Sequence, residues 1–212
     1  MRIDKRIKEG IYIVIDPSME TASLLDKLEK VLNEEVVAVQ IWDNFKTGQN
    51  IEALLQKVCS LCHAYNVPVL INNQWEYLLS TEIDGVHFDA IPRKLSHIRE
   101  VVKRSFLCGL TCNNDLDPVH WAKDNGMDYI SFCSVFPSST SNSCELVSFD
   151  TIREATKISS IPVFLAGGIV PKNMDQLEEL GYSGVAVISG VMNAEDPGEA
   201  VKNYKEKFKS KS

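Results

Sequence analysis

The chain has 212 residues, 44% of them apolar, a formal net charge of −7 and an isoelectric point near 5.2, which is ample material for one well-packed core. This acidic balance argues against a broad basic face for nucleic acid or anionic lipid, so a small molecule is the expected partner. The charged start MRIDKRIKEG leads only into IYIVI, too short for a signal core or a membrane span, and the expected compartment is the cytoplasm.

In chain order, short apolar and β-branched runs alternate with longer stretches of helical period. The runs are GIYIVID, VVAVQIW, PVLINN, GVHFD, FLCGLT, YISFCSV, PVFLAGG and GVAVISG. Between and after them come TASLLDKLEKVLNE, NIEALLQKVCSLCHAY, RKLSHIREVVKRS, DPVHWAKDNG, SFDTIREATKIS, KNMDQLEELG and PGEAVKNYKEKF, with a shorter helix predicted from Trp75 to Thr81. Eight buried runs in a strand–helix repeat, with no linker or break in composition, predict a single α/β domain over 1–212 of the (β/α)8 TIM-barrel type. Trp75 and Trp121 fall in helical stretches and read as packing residues. The closing KNYKEKFKSKS reads as a last helix with a solvated basic tail.

Six cysteines in a cytoplasmic chain should be reduced thiols. CSLCH matches the spacing of c-type haem attachment, but Cys59, Cys62 and His63 lie in a stretch of helical period, which predicts packed helix cysteines instead. Cys108, Cys112, Cys133 and Cys144 form no CxxC pair, so a structural zinc is not expected.

In a barrel of this type the site lies at the C-terminal ends of the strands. The candidates are Asp16, Gln40 with Trp42, Asn72 with Asn73, His87 with Asp89, Thr111, Ser134, Gly167 with Gly168, and Ile188 with Ser189. The stretch PVFLAGGIVPKN raises a question of its own, since a buried strand ends there on paired glycines. Either the backbone approaches a ligand, with Pro171 opening a helix whose N-terminus suits phosphate, or the pair is simply a tight turn. Ser189 and Gly190 after the last strand supply a second arm, and loops after strands seven and eight commonly hold phosphate in barrels.

The order DGVHF, GLT, FPSST, IPVFLAGGI, GVAVISGVMNAEDP resembles the thiamine phosphate synthase family and its relatives the thiazole tautomerases, from about Gly10 to Pro197 and most strongly from Asp128 onward. The resemblance implies a barrel enzyme that joins a pyrimidine methyl diphosphate to a thiazole phosphate with loss of pyrophosphate, using magnesium. It implies that Gly168, Ile188 and Ser189 hold the thiazole phosphate, that Ser138, Ser139 and Thr140 stand for a Thr-x-Thr loop, and that Thr111 stands near the pyrimidine, with Gln40 and Asn72 also in the places the family pattern expects. Elsewhere the chain departs from the family pattern. Trp42 and Asn44 stand where an arginine and a lysine belong, Asn73 replaces a magnesium aspartate, and Ser141 replaces a lysine. Asp89 is the only carboxylate near the second metal position, with Asp43, Asp16 and Lys46 as substitutes for the lost charge. Trp42 has two readings, stacking on a ring in the pocket or filling the space of the absent arginine.

Three functions follow from this pattern. The first is a divergent synthase of thiamine biosynthesis, its catalytic candidates being Asp89, His87 and Asn73. The second is a tautomerase, which needs no diphosphate clamp but has Asn113 where relatives carry a histidine. The third is a non-catalytic barrel that binds a phosphorylated ligand: thiazole phosphate, pyrimidine diphosphate or thiamine phosphate. Oligomeric state is left open, including a homo-oligomer.

Overall fold

The computed structural model describes residues 7–138 and 145–209, and in it parallel strands close into a barrel in the order of the sequence. The strands are β1 (Gly10–Ile15), β2 (Ala38–Ile41), β3 (Val69–Asn72), β4 (Gly85–Phe88), β5 (Leu107–Cys112), β6 (Tyr129–Cys133), β7 (Val163–Ala166) and β8 (Gly184–Val187). Each pairs in parallel with its neighbours, and β8 returns to β1 with Gly10 opposite Gly184 and Ile13 opposite Val187. Closure leaves no sheet edge exposed.

The helices are α1 (Thr21–Leu32), α2 (Ile51–Ala64), α3 (Leu95–Val102), α4 (Asp117–Asp124), α5 (Phe149–Ile158), α6 (Ser189–Met192) and α7 (Pro197–Lys209). Their starts are set locally. Glu20 accepts the N–H groups of Ala22 and Ser23 ahead of α1, Asn50 accepts that of Ala53 in α2, and Ser148 that of Thr151 in α5. Two helical expectations are met by tighter turns: Trp75–Leu78 and Pro171–Leu180 are both 3-10 helices. The second opens on Pro171, whose missing N–H is an orphan at that position anyway.

Side-chain alternation divides the interior in two. Ile11, Ile13, Ile15, Val39, Ile41, Val69, Ile71, Leu110, Ile130 and Phe132 point outward and pack with the helices in the main core. Tyr12, Val14, Ala38, Leu70, Leu107, Tyr129 and Phe164 point inward and, with Ile7, form a second cluster that fills the barrel. Gly109 makes room for it: a Cβ there would lie 2.1 Å from the Tyr129 ring. Cys59 and Cys62 are fully buried in the main core on α2, and His63 Nε2 meets Asp84 Oδ2 at 2.8 Å, so the CSLCH stretch is a packed helix face. Among the described residues no helix is long and apolar enough to cross a membrane.

Candidate functional site

The inward cluster reaches, through Val14, a cavity of about 650 Å³ at the C-terminal ends of the strands. Its lower wall is a run of buried polar side chains joined by hydrogen bonds, as buried polar groups must be. Thr111 Oγ1 meets His87 Nε2 at 2.8 Å, His87 Nδ1 meets the Tyr129 hydroxyl at 2.8 Å, and the Tyr129 and Tyr12 hydroxyls lie 2.8 Å apart. Tyr12 donates to Gln40 Oε1, Gln40 Nε2 to Asn72 Oδ1, and Asn72 Nδ2 to Asp89 Oδ2. The His87 ring also stacks on Tyr129 with centroids 5.5 Å apart. Burial outweighs the nearby Asp89 carboxylate and pushes His87 down to about 4, so its imidazole is neutral near pH 7; burial likewise pushes the Tyr12 and Tyr129 phenols up.

The opposite wall comes from β7 and β8. Gly167 and Gly168 take φ of +85° and +66°, in the left-handed region. The space a Cβ would need at Gly168 is held by the Pro137 and Phe136 carbonyl oxygens, 2.4 and 2.6 Å away, and at Gly167 by Ser134 Oγ at 2.5 Å. The glycine pair is thus required by close packing of the β7 loop on the β6 loop, and its backbone lines the cavity as a result. Asn173 stitches this turn, donating to the Gly168 carbonyl and accepting the Val170 N–H, both at 2.9 Å. Tyr204 on α7 donates to the Ile169 carbonyl at 2.9 Å. The start of α6, at Ser189, carries no side-chain cap, and Ile188, Ser189 and Gly190 line the cavity there. Lys27 meets the carbonyl of Met192 at the far end of α6.

At the β3–β4 corner the residues do not suit magnesium. Asn73 Nδ2 donates to Asp89 Oδ2 at 2.8 Å and to Asp43 Oδ2 at 3.2 Å, while Asn73 Oδ1 accepts the Asp89 N–H at 3.0 Å. The amide N–H groups stand between the two carboxylates where a cation would need to sit, and the one neutral oxygen is already engaged. Magnesium requires an open octahedron of oxygens around 2.1 Å away, and an amide nitrogen is no ligand for it. Among the described residues no cluster of three histidine, cysteine or acidic side chains could hold a metal.

Most of the sequence-based candidates converge on this one cavity. Gln40, Trp42, Asn72, His87, Asp89, Thr111, Ser138, Gly167, Gly168, Ile188 and Ser189 all line it. Asn73 stands behind Asp89 in the carboxylate corner, and Ser134 is buried beneath Gly167. Asp16 is taken up by the Ser18 N–H and the Asn44 amide, and Ser139, Thr140 and Ser141 lie outside the described residues. His87 is no free proton carrier, because both ring nitrogens are engaged. Sequence reasoning missed Tyr12, Tyr129, Ser131 and Cys133. A period-two count down YISFC puts 129, 131 and 133 on the inward face, and that was the available signal.

The family model described as thiamine monophosphate synthase matches residues 11–191. A protein named thiamine-phosphate synthase from Prochlorococcus marinus subsp. pastoris is 33% identical over 90% of this chain, and thiamine-phosphate synthase 1 from Aquifex aeolicus is 30% identical over 93% of it. The chain spans 53% of the Prochlorococcus protein and 92% of the Aquifex one. A solved structure titled thiamine phosphate pyrophosphorylase, from Pyrococcus furiosus, superposes with a TM-score of 0.82 at 22% identity, covering 97% of this chain and 98% of that one, a likeness of fold.

Proposed function

Because the chain belongs to the thiamine monophosphate synthase family, we propose that it serves thiamine phosphate formation, seating a thiazole phosphate in the cavity with a pyrimidine ring beside it. The observation that supports this most is the continuity of the cavity, which joins two unlike walls in one space. The β7–β8 wall offers backbone N–H groups and the Ser189 hydroxyl to a monophosphate. The β2–β5 wall offers Gln40, Asn72 and Thr111 to the edge of a nitrogen heterocycle. Trp42, half-buried at the rim, gives either ring a surface to stack on. The residues bind and orient two rings so that one can attack the other, which is where much of the rate of such a reaction originates.

Pyrophosphate departure is the weak point of this site. No lysine or arginine lines the cavity among the described residues, and Asp89 is its only charged lining side chain. Losing one charge-stabilising contact commonly costs on the order of a hundredfold in rate, so turnover is expected to be slow by at least that factor. The test is pyrophosphate release from purified protein given pyrimidine methyl diphosphate, thiazole phosphate and magnesium. Release above background that is lost in Ser189→Asp supports the proposal, and no release together with no binding of thiazole phosphate refutes it.

A second reading is favoured by the Asn73 amide that bridges Asp43 and Asp89 in place of a cation. On this reading the barrel holds a phosphorylated thiazole or thiamine phosphate without turnover. Calorimetric titration with thiazole phosphate and, separately, pyrimidine diphosphate separates the two: the binding-only protein takes the monophosphate and ignores the diphosphate, with or without magnesium. Of the positions the tautomerase reading would use, His87 is engaged at both nitrogens and Asn113 accepts the Asp115 N–H.

A further inference from the structure

We propose that Asp89 fixes the direction of the entire hydrogen-bond chain through the barrel floor, and so makes Thr111 an acceptor toward the cavity that selects ligands bearing an N–H or O–H donor. The inference about the ligand rests on the reading of this cavity as the binding site; the inference about direction rests on the geometry alone.

The argument runs outward from the one member with no choice. A carboxylate accepts and cannot donate. Asp89 Oδ2 therefore takes an N–H from Asn72, whose Nδ2 lies 3.0 Å away, and Asn72 is left with only its Oδ1 for Gln40. Gln40 must donate through Nε2, which turns Oε1 to Tyr12. The single hydroxyl proton of Tyr12 is spent on Gln40, so the Tyr12 oxygen accepts from Tyr129. The proton of Tyr129 is spent in turn, and its oxygen accepts from His87 Nδ1. A neutral imidazole carries one proton, so Nε2 is a bare acceptor and Thr111 gives it its hydroxyl proton. Nothing but lone pairs on Thr111 Oγ1 then remains for the cavity, which Thr111 lines.

Each link depends on the last, and reversing any one leaves two donors or two acceptors face to face in a buried site, a cost of the same order as an unmade buried hydrogen bond. His87 is suited to its place because its burial keeps it neutral: an imidazolium would donate at both nitrogens and break the sequence. Gly109 belongs to the same device, since any side chain there would displace the Tyr129 ring. Asp89 itself is exposed at the strand end, held by the two asparagine amides and its own N–H to Asn73. It acts as a positioning residue, felt at Thr111 only through the intervening groups.

The deciding measurement is the tautomer of His87, read from the side-chain nitrogen and carbon-bound proton resonances of the labelled protein, with His87→Gln identifying its signals among the four histidines. The expected result is a proton on Nδ1 and none on Nε2. Asp89→Lys replaces an acceptor-only group by a donor-only group at a solvent-exposed position, and it should move the proton to Nε2 while the backbone spectrum stays that of the folded barrel. A wild-type proton on Nε2 overturns the proposal without any variant, and so does an Asp89→Lys protein whose His87 proton stays on Nδ1. For the ligand, calorimetry compares 4-aminopyrimidine with 4-methylpyrimidine, which keeps the ring and replaces the N–H donor by a methyl group. The amino form should bind about tenfold tighter to the wild type, the worth of one well-made hydrogen bond, and lose that advantage in Asp89→Lys. If the tautomer behaves as expected but the two pyrimidines bind alike, or not at all, the direction of the chain stands and the assignment of this cavity to such a ligand fails.

Discussion

Gly168→Ala tests whether the β7 turn that lines the cavity is held by packing or by backbone freedom alone. The residue has φ of +66°, and placing Ala there costs about 1–2 kcal/mol for the left-handed conformation. The new methyl group would also lie 2.4 Å from the Pro137 carbonyl oxygen and 2.6 Å from that of Phe136. These are backbone atoms and cannot swing aside, so the β6 and β7 loops must part, at a further cost of about 1–3 kcal/mol by analogy with overpacked sites. The expected total is about 2–5 kcal/mol, or a fall of roughly 5–15 °C in Tm for a chain of this size. Gly48→Ala is the matched control: its φ is +76°, yet nothing lies within 4 Å of the new Cβ. It should show the conformational cost alone. Urea unfolding of the two variants, with a thiazole phosphate titration on each, separates the terms. Equal losses of stability in the two would refute the packing argument, and an unchanged thiazole phosphate affinity in Gly168→Ala would detach the glycine from the ligand site.

Tyr204→Phe removes the hydroxyl that the Ile169 carbonyl accepts, and should cost about 1 kcal/mol in denaturant unfolding together with a loss of thiazole phosphate affinity. Asn73→Asp would set three carboxylates together with the Asn73 amide gone from between them, so its Tm should fall in chelator and recover in millimolar magnesium; wild-type Tm should not respond to magnesium, and a clear wild-type rise would show that the carboxylate corner takes the ion after all. His87 has its folded value pushed down to about 4 against about 6.5 unfolded, so the unfolded chain binds the extra proton first as pH falls. Its contribution is fully present above about pH 6.5 and is lost progressively toward pH 4, about 3 kcal/mol in all. Stability measured by urea unfolding between those limits should have a slope that His87→Gln flattens.

The barrel was legible because its signal is repeated. Each run such as GIYIVI or YISFC is short, apolar and bounded, and eight of them separated by helical stretches leave few other closed solutions. Boundaries were read less well where tertiary contacts decide them. KNMDQLEELG has helical spacing, but Asn173 is committed to Gly168 and Val170, which tightens the segment into a 3-10 helix. The site was legible at strand ends, where polar residues interrupt apolar runs. Tyr12 and Tyr129 were not, since an aromatic inside a strand looks like any core residue until its hydroxyl is seen to have partners on two other strands. The glycine pair was located correctly, but its cause lay in the β6 loop, which no local pattern reveals.

The placement of charge bears on the proposed preference for a monophosphate. In a closed barrel of eight strands taken in order, β4 lies across from β8, so Asp89 stands on the far side of the cavity from the cradle at Ile188 and Ser189. A monophosphate on the cradle meets backbone N–H groups and is distant from that carboxylate. A diphosphate reaching toward β3 and β4 approaches Asp89 and Asp43, and at about 4 Å in a partly screened site each unit-charge repulsion is on the order of 4 kcal/mol. The relatives' way out of this repulsion, as the resemblance implies, is a divalent ion with arginine and lysine around it; here the Asn73 amide takes the carboxylates and Trp42 fills the rim. On the proposed reading, neutral groups in place of cations, with Asp89 and Asp43 still at this corner, therefore do more than remove stabilisation. They would make the side of the cavity near Asp89 repulsive to a diphosphate and leave the β8 side as it was, so the proposed preference for a monophosphate would follow from where each ligand's charge falls.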